Sequence, residues 1–70
     1  MISQIDLDNW FMYHSPNVDQ IPKYQAIREA AKHLAEVIVN NTPSCADQTA
    51  AIRLVREASM TANAAIACNM

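Results

Sequence analysis

The sequence predicts an all-α fold, and three observations predict it. Two long segments carry apolar residues at helical spacing, glycine is absent from all 70 residues, and the breaks fall at proline and asparagine. Without glycine, tight β-hairpin turns and phosphate-cradling glycine loops are disfavoured. The expected architecture is an antiparallel two-helix hairpin with a short N-terminal aromatic arm, a single domain spanning 1–70.

The arm, residues 1–20, reads as irregular. Asp6, Asp8 and Asn9 mark turns, as does Pro16-Asn17. A short helix or an extended piece fits at Ile5–Met12. The chain holds one Trp, one Phe and two Tyr, and three of these (Trp10, Phe11, Tyr13) fall within four positions of the arm.

Residues 22–40 read as the first helix. Asp19 or Gln20 is the expected cap, and Pro22 suits the first helical position, where its missing N–H costs nothing. Tyr24, Ile27, Ala31, Leu34 and Ile38 recur at 3, 4, 3, 4, an apolar stripe that seeks a partner helix. Asn40-Asn41-Thr42-Pro43 then stops the helix and turns the chain.

Residues 44–68 read as the second helix. Ser44-Cys45-Ala46-Asp47 approximates a capping box, with Asp where Glu is usual. Ala51, Val55, Ala58, Ala62 and Ala65 form one stripe, and Ile52, Ser59 and Ile66 form its neighbour. Small residues let backbones approach closely, and apolarity on more than one side implies more than one neighbour.

A core of this size rarely supplies more than about 3–5 kcal/mol without a staple. Cys45 and Cys68 are poor disulfide partners, since 23 residues of one helix separate them by roughly 35 Å. The two cysteines and two histidines, His14 and His33, lack metal-ligand spacing. Oligomerisation is the staple left, so a compact helical homo-oligomer is expected. The net charge of −2 and the lack of a basic tract argue against a partner in DNA or RNA polymers. No leader or membrane-spanning run is apparent, and two unpaired cysteines fit a reducing cytoplasm. No cofactor is expected.

Catalytic constellations are absent: there is no G-x-S-x-G, no H-E-x-x-H and no carboxylate pair beside a base. Cys45 at a helix N-terminus reads as an idle small residue rather than a reactive thiol, and His14 as a hydrogen-bonded loop histidine rather than a general base. Lys23 is more informative. It sits in the first turn of a helix, where the dipole disfavours a cation. A lysine there makes sense if free N–H groups and an anion meet at that helix end. Tyr13 lies ten residues earlier, so an aromatic face beside a phosphate site points to a nucleotide, with Arg28 as a second cation or stacking plane. The same aromatics also read as a satellite core over the hairpin, with Lys23 solvated. A further stripe, Arg56, Met60, Asn63 and Ala67, puts a guanidinium, a soft apolar chain and an amide on one face. Around a symmetry axis it forms a second pocket, or it simply packs.

Three patterns are distinctive in combination: F-x-Y-H-x-P at Phe11–Pro16, Q-x-x-K-Y-x-x-I-R-x-x-A-K-x-L-A-x-x-I at Gln20–Ile38, and A-x-x-x-L-x-x-A-x-M-x-A-N-A-x-I-A at Ala50–Ala67. Together, over about residues 11–69, they resemble a phage hairpin-domain family of anti-CBASS cyclic-nucleotide sponges and related sponges that counter Thoeris defence. The resemblance implies non-enzymatic sequestration of cyclic oligonucleotide immune signals in the cytoplasm of the infected host. It implies homo-hexamers with cyclic dinucleotide pockets between subunits, and cyclic trinucleotide pockets near the threefold axes of some members. By this resemblance Tyr13 is the base-stacking tyrosine and Lys23 the phosphate contact, with His14, Tyr24 and Arg28 nearby. Members often carry a basic residue near the end of the last helix for the trinucleotide, where this chain has Cys68. Trinucleotide binding then requires Arg56 to substitute, in a second pocket of Arg56, Met60 and Asn63. Two rivals stand beside this reading, a helical protein–protein interaction module without a nucleotide ligand and an enzyme that degrades the signal.

Overall fold

The computed structural model describes residues 1–70. Three helices account for its regular structure: α1 (Gln4–Phe11), α2 (Ile21–Asn41) and α3 (Ala46–Asn69), with no strand. The all-helical expectation holds, and the arm requires correction.

Of the two readings open for Ile5–Met12, the short helix is the one that forms, over Gln4–Phe11, so that half of the arm is not irregular. The residues that read as turn markers are what begin it. Ser3 Oγ accepts from the Asp6 amide at 3.1 Å, and Asp6 Oδ2 accepts from the Ser3 amide at 3.2 Å. This reciprocal capping box satisfies two backbone donors at once. One turn on, Gln4 Nε2 donates to Asp8 Oδ1 at 2.8 Å. Aspartate in a first turn also complements the helix dipole.

The cap of α2 is reached differently from expectation. Gln20 occupies the cap position without making the usual side-chain bond into the helix. Instead the preceding turn closes on itself. Asn17 Oδ1 accepts from the Gln20 amide at 2.9 Å, and Gln20 Oε1 accepts from the Asn17 amide at 3.1 Å. Pro22 falls in the first turn, as its missing donor requires. At the other end, the expected box at Ser44 does not form. Cys45 is the residue that caps α3, without a side-chain bond, so Ser44 lies one position outside. The corner is closed by side chains on its other flank. Asn41 Nδ2 donates to Val37 O at 2.7 Å and Thr42 Oγ1 to Ile38 O at 2.6 Å. Gln48 Nε2 reaches Val39 O at 3.4 Å and Thr42 O at 3.2 Å. These donors satisfy carbonyls near the end of α2, where helical partners run out.

Helices α2 and α3 run in opposite directions along a shared seam. Gln48, early in α3, touches the end of α2, while Gln20, before α2, donates to Ile66 O at 3.5 Å and Met70 O at 3.4 Å. On α2 the half-buried residues are Tyr24, Ile27, Ala31, Ala35 and Ile38. Leu34, expected in that stripe, stays 50% exposed. On α3 the inward side includes Ala51, Ile52, Val55, Ser59, Ala62, Asn63 and Ile66, which draws equally on the two stripes. Ala58 and Ala65, from the alanine stripe, remain exposed. The α1 helix packs on α3 and not on α2.

The molecule measures 44 × 32 × 15 Å. A single helix with side chains is about 10–12 Å across, so this is essentially one layer. Only two residues are buried, Ile66 at 6% exposure and Gln20 at 8%. A layer one helix thick has no inside, and its apolar stripes face outward on both sides.

Candidate functional site

The residues that read as a nucleotide site lie around the start of α2. Tyr13 and His14 belong to the linker after α1, while Lys23, Tyr24 and Arg28 occupy the first two turns of α2. Met12 is extended, with φ −93° and ψ 158°, and the following residues form no helix. Extended backbone sends successive side chains to opposite sides. Tyr13 accordingly faces solvent, 83% exposed, whereas His14 turns inward and is half-buried. His14 is thus a hydrogen-bonded linker histidine, with Nε2 2.6 Å from Asn9 O.

The electrostatics of α2 differ from those of its neighbours. The first turns of α1 and α3 hold Asp6 and Asp47, but the first turn of α2 holds no acid. Lys23 stands there instead, exposed, and the single ion pair of the chain is elsewhere, between Lys32 and Glu36 at 4.0 Å. A cation at the positive end of a dipole is unfavourable unless an anion joins it. The expected cluster of free amides is absent. The Gln20 amide goes to Asn17 Oδ1, the Ile21 amide to Asn17 O, and the Lys23 and Tyr24 amides both to Gln20 O. Lys23 therefore offers charge without a backbone cradle. Tyr24 is half-buried, and Arg28, four residues on and so on the same face, is exposed.

Five concave sites lie on the chain, and Tyr13, His14, Lys23, Tyr24 and Arg28 line none of them. One chain brings these residues to a common end of the molecule without enclosing a cavity. The second group is divided. Arg56 lines a groove with Gln48, Thr49, Ile52 and Arg53, two turns away from Asn63. Met60 is 58% exposed, and Asn63 Oδ1 is buried with no hydrogen-bond partner.

Sequence reading passed over an apolar feature, an open groove of about 460 Å³ across the α2–α3 seam. Ile27, Ala30, Ala31 and Leu34 line it from α2, and Leu54, Val55, Ala58 and Ser59 from α3. Its signal was present in Leu34 and Leu54, bulky residues beside alanines that leave space around them.

A family model described as Acb2/Tad1, hairpin domain, matches residues 3–67. The chain belongs to this family. It is the family of anti-CBASS and anti-Thoeris sponges that the three patterns resemble, and membership carries a sponge-type anti-defence role. No curated protein and no solved structure matches the chain. No helix is long and apolar enough to cross a membrane.

Proposed function

We propose that this member of the Acb2/Tad1 hairpin family is a non-enzymatic sponge for cyclic oligonucleotide immune signals, cyclic dinucleotides above all. It binds them in the cytoplasm of an infected bacterium and so keeps a CBASS-type effector inactive. The observation that carries the reading is the family match over residues 3–67 of the 70-residue chain.

The geometry supports it in three ways. An exposed tyrosine ring offers a plate for a base, and stacking is worth about 1–3 kcal/mol per base. Lys23 adds a cation at a helix end that lacks an acid. The protomer also has almost no interior, so its exposed apolar faces call for further copies of itself. We assign a homo-oligomer, hexameric as the family resemblance implies, with Tyr13 and Lys23 working in pockets closed by a neighbouring copy. His14, Tyr24 and Arg28 surround them. Arg56, Met60 and Asn63 are the candidates for a cyclic trinucleotide, and that site too needs a symmetry-related copy, because no cavity of one chain is lined by all three.

A sponge works through affinity alone. Depleting a micromolar signal takes a Kd near 1 nM, or about −12 kcal/mol. Stacked bases and phosphates held between rigid subunits reach that range when the pocket is preformed and ordering costs are avoided.

Calorimetric titration with a panel of cyclic di- and trinucleotides, beside native mass measurement, tests the reading. Tight binding by an oligomer, with the ligand recovered intact after heat denaturation, supports it. An altered ligand would establish an enzyme instead. A stable monomer that binds no member of the panel would favour an interaction module. Lys23→Ala is expected to weaken dinucleotide binding by about 1.5–3 kcal/mol, the range for a hydrogen bond to a charged group.

A further inference from the structure

The contacts that hold the arm are few and directional. Asn9 sits in the last turn of α1, and its side chain reaches across to the end of α3, where Nδ2 donates to Cys68 O at 3.0 Å. Carbonyls in the last turn of a helix lack a helical partner. Asn9 O is in the same position at the end of α1. It accepts from His14 Nε2 at 2.6 Å, and the Cys68 thiol lies 3.9 Å from it. Cys68 Sγ and His14 Nε2 are 4.0 Å apart. Asn9, His14 and Cys68 are all half-buried, on a chain where most residues are exposed.

The chemistry of this cluster assigns the imidazole. A backbone carbonyl only accepts, so the 2.6 Å contact requires a proton on Nε2. That nitrogen is spent inside the protein and is not free to meet a phosphate or a base. Its neighbour Tyr13 points the other way, into solvent. Anchoring His14 therefore fixes the backbone from which Tyr13 projects.

We infer that Asn9, His14 and Cys68 form a latch between the ends of α1 and α3 that positions Tyr13, and that His14 is a positioning residue rather than a ligand contact. The inference rests on the sponge reading for the role of Tyr13, while the latch itself is a property of the free protein.

Two variants of His14 separate the possibilities. Glutamine carries an amide donor near the place of Nε2, whereas alanine carries none. Amide hydrogen exchange across α1 and titration with purine cyclic dinucleotides are measured on the full-length protein. In His14→Ala, α1 exchange is expected to rise and dinucleotide Kd to weaken, each by about tenfold, the upper end for one net hydrogen bond. His14→Gln is expected to restore both to within about threefold. Asn9→Ala, which removes the bridge to α3, is expected to behave as His14→Ala. Unchanged α1 exchange in His14→Ala overturns the latch. Normal α1 exchange in His14→Gln, combined with binding as weak as in His14→Ala, overturns the positioning role, because the imidazole then touches the ligand. If the wild-type protein binds no cyclic dinucleotide, the sponge reading falls and the exchange comparison alone decides the latch.

Discussion

The α2–α3 seam and the N-terminal arm are held by different physics. The seam is apolar and repetitive. Its members recur every three or four residues, only Ile66 among them is buried, and a broad groove stays open across it. The arm is held by single polar contacts aimed at helix-end carbonyls, from Asn9 and His14, with Gln20 doing the same at the head of α2. An apolar seam sets how much surface is removed from water, and it tolerates sliding. A hydrogen bond to one particular carbonyl does not slide. The seam therefore supplies adhesion, within a chain and between copies, while the arm supplies position.

This contrast can be broken most severely in the seam. Ile66→Ala is expected to cost about 2–5 kcal/mol, the range for truncating a buried large aliphatic. A core this small rarely provides more than about 3–5 kcal/mol, so the variant should lose far-UV helicity and its native assembly together. Normal helicity and mass would show that the adhesion lies elsewhere.

The next effect belongs to the arm and leaves the fold alone. Tyr13→Ala is expected to lose about 1–3 kcal/mol of binding for each base that it stacks. Thermal melting of the ligand-free protein should not change, since the ring is exposed. A large drop in melting temperature would make Tyr13 a packing residue instead.

Gln20 joins the two regions, and Gln20→Ala should read out in both. It leaves the Asn17 amide without its acceptor and frees the carbonyls of Ile66 and Met70. The expected loss is about 1–3 kcal/mol of stability by chemical denaturation, the cost of orphaned polar groups. The smallest effect is local. Ser3→Ala removes the cap of α1 and is expected to cost about 1 kcal/mol, seen as faster exchange in Gln4–Phe11 with α2 and α3 unchanged.

Much of the seam was legible in residue order because helical periodicity is a local property. Tyr24, Ile27, Ala31 and Ile38 announce one face at a spacing that a helix alone satisfies. The ends of α2 and α3 shifted by only one or two residues. The arm was harder to read. Ser3-Gln4-Ile5-Asp6 is a capping box with aspartate in place of glutamate, and Asp, Asn and Ser mark turns as readily as helix starts. Local chemistry allowed both, and the first turn of α1 chose.

The sequence by itself determined that this chain is helical, that its stripes outnumber the faces one partner helix can cover, and that Lys23 stands at a helix start without an acid. Those follow from residue type and spacing, which act over a few positions. Only the tertiary structure decided that Leu34 stands over an open groove on the seam, that Asn9 reaches Cys68 O, and that His14 lies beside Cys68. Each of these depends on which of several equivalent donors and acceptors meet in space. The partners are up to 59 residues apart along the chain, and neighbouring residues carry no record of that choice.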